Sequence, residues 1–229
     1  TSSESTVNFE SGDVTVTNGS LGALSGSGTT YTGTVTASGQ GAVTVKVLAN
    51  KFTDTAGNQN SQSNTYSWTH DTTAPTISIS GPSTTITNSG PVTYTITYSG
   101  ANAVTLAAGN VTLTATGNAA GSKAVSGSGT STRVVTISSI TGDGTLKITI
   151  ASGTASDTAG NSAAGAGPSG TFTVDNTGPT MTLSSATVSN GGSHNSTVTV
   201  TFTSNESTTN FVSGDVTVTN GSLGALSGS

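Results

Sequence analysis

The sequence predicts an all-β chain built from tandem antiparallel β-sandwiches. Three observations carry that reading. The first is repetition. Residues 1–27 read TSSESTVNFESGDVTVTNGSLGALSGS, and residues 203–229 repeat them with changes only at Ser3/Asn205, Val7/Thr209 and Glu10/Val212. Phe9 recurs as Phe211, a period of 202 residues. The second is an echo at half that period. DTTAPT at residues 71–76 returns as DNTGPT at 175–180, and DTAGN at 54–58 returns unchanged at 157–161. The period therefore holds two related units of about 100 residues, the size of one small β-sandwich. The third is strict alternation of apolar and polar residues, the signature of strands buried on one face.

Each strand is justified by that alternation. In the first unit, residues 1–72, Val14 and Val16 share one face, and Val43, Val45 and Val47 share another with Thr44 and Lys46 opposed. Asn18-Gly19 follows a Val-Thr run and predicts a hairpin with a type I′ turn. The unit ends on a strand carrying Trp68 and His70, the counterparts of Phe172 and Val174. The middle unit, residues 73–176, holds a complete set. Strands are expected near 76–80, 92–98, 110–115, 133–138, 145–150 and 170–174, with a short one around Ala124. Seven short antiparallel strands make an Ig-like sandwich. The third unit, residues 177–229, opens the set again, with Val198, Val200 and Phe202 standing where Tyr94, Ile96 and Tyr98 stand. Pro75 and Pro179 begin their units; proline fixes φ and donates to no ladder, so each marks a stiff joint.

The expected organisation is thus one complete Ig-like sandwich between two partial ones. The first lacks its first two strands and the last lacks its final ones. Residues 1–72 are expected to need strands equivalent to 177–203, from a preceding repeat or a neighbouring molecule. A window cut from a longer array accounts for this pattern.

Composition narrows the function classes. Thr, Val, Ser and Gly dominate, and the branched Cβ of Thr and Val suits a pleated surface. Net charge is −5 with only five Lys plus Arg, which argues against nucleic acid, whose phosphates need clustered cations. There is no cysteine. No apolar run approaches the roughly 18–20 residues a membrane helix needs; no signal peptide is seen, and because the sequence starts within a repeat any targeting segment is expected to lie outside it.

The DTTAPT linker, the Thr-Asn-Gly-Ser segment and the DTAGN loop together resemble the bacterial Ig-like repeats of large surface adhesins and biofilm-associated proteins. The similarity covers all three units. The resemblance implies a secreted, cell-surface, often calcium-binding stalk. Its partners would be neighbouring repeats, like chains in a fibre, or a surface glycan or protein.

Sandwich geometry places the candidate site at the junctions. In an Ig-like sandwich the first strand starts at the pole facing the previous unit, and the loops after the second and penultimate main strands return there. Asp175, Glu206 and Asp215 belong to that pole of the third unit, and Glu4, Asp13 and Asp54 to that of the first. Like charges held together repel unless a cation lies between them, and oxygen ligands in flexible loops suit Ca²⁺. The middle unit differs. Asn102 and Asn110 replace two acids, leaving Asp71 and Asp157, so this junction is expected to bind Ca²⁺ more weakly. The competing reading is that Asp and Asn close turns by bonding their own backbone. Asp143, between Gly142 and Gly144, is read that way, since Gln40 occupies its equivalent.

Catalysis finds no foothold. His70 and His194 are the only histidines, and neither has a nucleophile and an orienting group in view. Trp68 reads as a core residue, with a sugar-stacking platform as the sharper alternative. The leading function is a structural spacer stiffened by Ca²⁺. Its rivals are a glycan- or protein-binding module and a fibre subunit that exchanges strands.

Overall fold

The computed structural model describes residues 1–228. Nineteen strands and three single-turn 3₁₀ segments make up its regular structure among the described residues. No helix there is long and apolar enough to cross a membrane. Contacts divide the chain into two compact units, Thr1–Val174 and Asp175–Ser229.

Within the first unit, residues 1–70 contribute β1 (Val14–Thr17), β2 (Gly19–Leu21), β3 (Ser25–Ser27), β4 (Thr30–Thr32), β5 (Val35–Ala37), β6 (Gly41–Val47) and β7 (Tyr66–His70). They form a three-stranded sheet ordered β1-β6-β7, and the two-stranded ribbons β2-β5 and β3-β4. The expected hairpin at Asn18-Gly19 does not form. β1 pairs with β6 while β2 pairs with β5, so the chain changes sheet there. Asn18 alone takes a left-handed conformation, φ 56, whereas a type I′ turn needs positive φ at both residues. The Asn18 side chain instead donates to the Gly39 carbonyl at 2.9 Å. Gly19 is required for space, because a Cβ would sit 2.8 Å from the Thr36 carbonyl oxygen.

Residues 76–174 supply β8 (Thr76–Ile79), β9 (Ile86–Thr87), β10 (Val92–Ser99), β11 (Ala103–Val104), β12 (Val111–Ala115), β13 (Ala120–Ser126), β14 (Thr132–Thr141), β15 (Gly144–Ile150), β16 (Ala155–Ser156) and β17 (Phe172–Val174). One sheet runs β13-β14-β10-β8 and the other β12-β15-β17-β9. This is the Ig-like arrangement, in which first, second, fifth and fourth main strands face third, sixth and seventh. Three short strands lay outside the sequence reading. β9 joins β17 in parallel, and β11 pairs with β16.

The core follows the alternation. Val92, Tyr94, Ile96 and Tyr98 point inward from β10 and are buried. They meet Leu146, Ile148 and Ile150 of β15 and Phe172 and Val174 of β17, all nearly inaccessible. The Tyr94 and Phe172 rings lie 6.5 Å apart, and the Tyr94 hydroxyl donates to the Gly170 carbonyl at 3.0 Å, which satisfies its polar end. Arg133 is buried beside this core, its guanidinium donating to the Val104 carbonyl at 3.1 Å.

The first 72 residues repeat half of this plan. Val14 faces Val47 and Val16 faces Val45, as Val111 faces Ile150 and Leu113 faces Ile148. Val43 faces Trp68 as Leu146 faces Phe172. The second unit carries β18 (Met181–Ser184) paired with β19 (Thr201–Ser204). Leu183 lies opposite Phe202, whereas Ile79 lies opposite Ile96. The pairing is therefore two residues further along than in the middle sandwich. A shift of two keeps the same residues on the same face.

Ile148→Ala is expected to destabilise the 73–174 sandwich by about 2–5 kcal/mol, because it removes fully buried methyl groups from between two sheets. Thr97→Ala, on the outer face of β10, is expected to change stability by under about 0.5 kcal/mol. Urea unfolding followed by the amide resonances of residues 73–174 measures both.

Candidate functional site at the linker between repeats

The DTAGN loop closes on itself, and its chemistry explains its composition. The Asp157 carboxylate accepts from the Asn161 backbone N–H through Oδ1 and from the Asn161 side-chain amide through Oδ2, both at 2.8 Å. Asp54 does the same with Asn58, again at 2.8 Å to each oxygen, and also accepts from the Ala56 N–H. These donors favour the charged carboxylate. The Asn161 side chain, opposed by partial desolvation and helped by loop N–H groups, holds the Asp157 carboxyl below its ordinary value. The Asn58 side chain and backbone do so for Asp54, with Glu4 alongside as the smallest contributor.

Asn161 has a second amide hydrogen, and it goes to the linker. Its Nδ2 donates to the Asp71 carbonyl at 3.0 Å. The linker is also gripped from the preceding repeat. Gln40, in the turn before β6, donates from Nε2 to Asp71 Oδ1 at 2.7 Å. Gln40 Oε1 accepts from the Thr72 N–H at 2.7 Å and from its hydroxyl at 3.1 Å. Asp71 Oδ1 further accepts from the Thr73 N–H at 2.9 Å. Residues 71–73 are thus fastened to the repeat on each side, just before Pro75 removes a further degree of freedom.

The remaining candidates divide into those gathered at this pole and those used elsewhere. β11 and β16 tie the two polar loops together, and Asn102 Oδ1 accepts from the Thr158 N–H at 3.2 Å. Asn102 and Asp157 therefore meet at the 157–161 loop, whereas Asp71 reaches it through its backbone carbonyl and turns its carboxylate to Gln40 and Thr73. Asn110 does not join them through any bond. Its Oδ1 accepts from the Ala107 N–H at 3.0 Å and closes a 3₁₀ turn. Asp13 closes the same turn on the Glu10 N–H, and Asp215 on the Val212 N–H. Asp and Asn interchange at this position because one acceptor oxygen suffices. Glu206 receives a weak 3.5 Å contact from the Asn205 amide, and Asp175 accepts from the Thr177 N–H.

Asp, Glu and Asn oxygens are hard donors, the type Ca²⁺ takes. Among the described residues no three His, Cys, Asp or Glu side chains are grouped to hold a metal ion. Gln40 and Asn161, the two amides that fasten the linker, were not singled out from the sequence. The recurrence of Asn at the end of both DTAGN loops was the available signal. Gln40 carried none, since Asp143 stands at its equivalent.

The pattern of the bacterial Ig-like domain family matches residues 1–69 and 175–229, more than half of the chain. No curated protein matches it, and no solved structure does.

The lowered acidities of Asp54 and Asp157 predict a pH dependence with a definite sign. A carboxyl depressed in the folded state contributes stability that is present above its unfolded value, about 3.9, and is lost as pH falls through the folded one. The urea midpoint is expected to hold between about pH 5 and 7 and to fall below about pH 4. The Asp54→Asn/Asp157→Asn double variant is expected to be less stable at neutral pH and to show a shallower acid fall.

Proposed function

Because this chain belongs to the bacterial Ig-like domains, we propose that it is a spacer segment of a bacterial extracellular adhesin or filament, secreted to the cell surface, and that its role is to hold repeats at fixed spacing and orientation. The observation that supports this reading most directly is the doubly fastened linker. A flexible tether of this size has no need of five side-chain hydrogen bonds around three residues. Gln40 anchors the linker to the repeat behind it and Asn161 to the repeat ahead. Two amides and one carboxylate thereby convert a hinge into a joint. Each such bond contributes about 0.5–1.5 kcal/mol net, so the set is enough to bias orientation strongly without welding the repeats together. The reading includes no catalytic step.

Calcium is the second part of the proposal. At the middle junction the ion would be held by Asp71, Asn102 and Asp157, with Asn110 in the same polar loop, and at the following one by Asp175, Glu206 and Asp215. The corresponding pole of the first repeat carries Glu4, Asp13 and Asp54. A divalent ion would supply charge neutralisation and a cross-link among loops that already close by hydrogen bonds. Two amides in place of two acids make the middle junction the weaker one, since affinity in such sites follows ligand charge.

Gln40→Ala/Asn161→Ala is expected to leave the fold intact and to broaden the distribution of intramolecular distances in small-angle X-ray scattering. An unchanged distribution would show that these amides do not set the stiffness. Calorimetric titration with Ca²⁺ is expected to give a binding heat for the full chain and at least about tenfold weaker binding after Glu206→Gln/Asp215→Asn. Equal affinity in both, or no heat, would remove the metal from the proposal.

A further inference from the structure

Among the described residues Arg133 is the only charged side chain that is buried, at 8% exposure. It stands near the start of β14, opposite Ile96, so it lies at the pole where β10 ends and the segment 100–107 begins. Its Nη1 donates to the Thr132 carbonyl at 2.8 Å and its Nη2 to the Val104 carbonyl at 3.1 Å. Both acceptors are neutral. They return less of the desolvation cost of a buried guanidinium than a carboxylate would, so the worth of this side chain lies in what it holds.

Val104 leads to the linker. It pairs with Ala155, and Ala103 pairs with Ser156. The Asn102 N–H donates to the Ser156 carbonyl at 2.8 Å and the Thr105 N–H to the Thr154 carbonyl at 2.9 Å. Residues 154–156 run directly into Asp157, whose loop presents Asn161 to the Asp71 carbonyl. The guanidinium thus sits at the root of a ladder that ends on the linker. The first repeat performs the same task with another side chain. SGSG at 25–28 recurs at 126–129. Ser25 pairs with Thr32 as Ser126 pairs with Val134, so Tyr31 holds the place of Arg133. The Tyr31 hydroxyl lies 2.9 Å from that of Thr6, and Thr6 bridges to Asp54, the first residue of the DTAGN loop there.

We propose that Arg133 is a positioning residue of the joint. It holds the 100–107 segment against β14 and, through the β11–β16 pair, sets where the 157–161 loop meets residues 71–73. The proposal rests on the stiff-joint reading above and names the group inside the middle repeat that keeps the forward anchor in place. An arginine suits the task because its planar fork reaches two carbonyls at once, whereas a lysine brings one compact ammonium. Arg133→Lys is therefore expected to restore the arrangement only in part, and Arg133→Met to release it.

The test uses the full chain, unsubstituted and as Arg133→Met, Arg133→Lys and Ile148→Val. The last variant weakens the core without touching the polar loops and separates loss of stability from loss of position. Two readouts are taken at neutral pH. They are amide exchange at Asn102 and Thr105, and residual dipolar couplings of residues 1–70 and 76–174. Arg133→Met is expected to speed exchange at both amides by about tenfold or more, the worth of one bond to a charged group. It is also expected to split the single alignment tensor of the unsubstituted chain into two. Ile148→Val is expected to lower the urea midpoint and leave both readouts as they were. If Arg133→Met lowers the midpoint but keeps one tensor and the original exchange, the residue is only a stabiliser and the inference fails. Should Arg133→Met not fold, Arg133→Lys decides by the same readouts, with unchanged exchange and one tensor counting against the inference. Tensors that already differ in the unsubstituted chain overturn the stiff joint itself and this role with it. Tensors that coincide in every variant overturn the role of Arg133 alone.

Discussion

Everything in this chain rests on the burial of one alternating face between two sheets. Only 31% of the residues are hydrophobic, so there is little to spare and nearly every inward position is used. Four residues of β10 and five of β15 and β17 supply most of the closed core. Burying each contributes about 1.5–3 kcal/mol, and losing the cover exposes a whole face at once. This is why the middle repeat is closed while Val45, Trp68 and Tyr66 of the first, and Leu183 and Val200 of the last, remain accessible. The first repeat keeps the strand register of the middle one, the β18–β19 pair is shifted from it by two residues, and in both the faces lack the second sheet that covers the middle repeat.

Polar residues do the complementary work. They occur where backbone groups would otherwise lack partners, and the same solutions recur in each repeat. Asp54 and Asp157 each satisfy the N–H groups of their own loop. Asp13, Asn110 and Asp215 each close one 3₁₀ turn. A repeat protein can exchange Asp for Asn at the turn position because an acceptor oxygen is all it needs, but the loop position uses both oxygens of a carboxylate. The linker amides build on this local order. The Asn161 amide serves Asp157 of its own loop and the Asp71 carbonyl of the linker at once.

The strands and their faces were legible in the sequence because period-two alternation is a local property. Val92 through Tyr98 and Leu146 through Ile150 announced both their extent and their buried side. What was not legible depended on distant partners. Asn18-Gly19 looked like a hairpin because the dipeptide is common in tight turns, yet Gly39 and Thr36, about twenty residues away, decide its conformation. β9 and β11 are two residues each and carry no periodicity. At the junction, the nearness of Asn102 to the 157–161 loop followed from the topology. Sequence alone could not show that the oxygens of Asp157 are engaged by Asn161, nor that Gln40 is a clasp.

The central claim is that residues 71–73 join two repeats as a stiff connection. Residual dipolar couplings measured separately for residues 1–70 and 76–174 of the intact chain test it most directly. A stiff joint predicts one common alignment tensor, with the same magnitude, rhombicity and orientation from both sets. Tensors that differ, with the smaller magnitude in one repeat, would contradict it and make the linker a hinge.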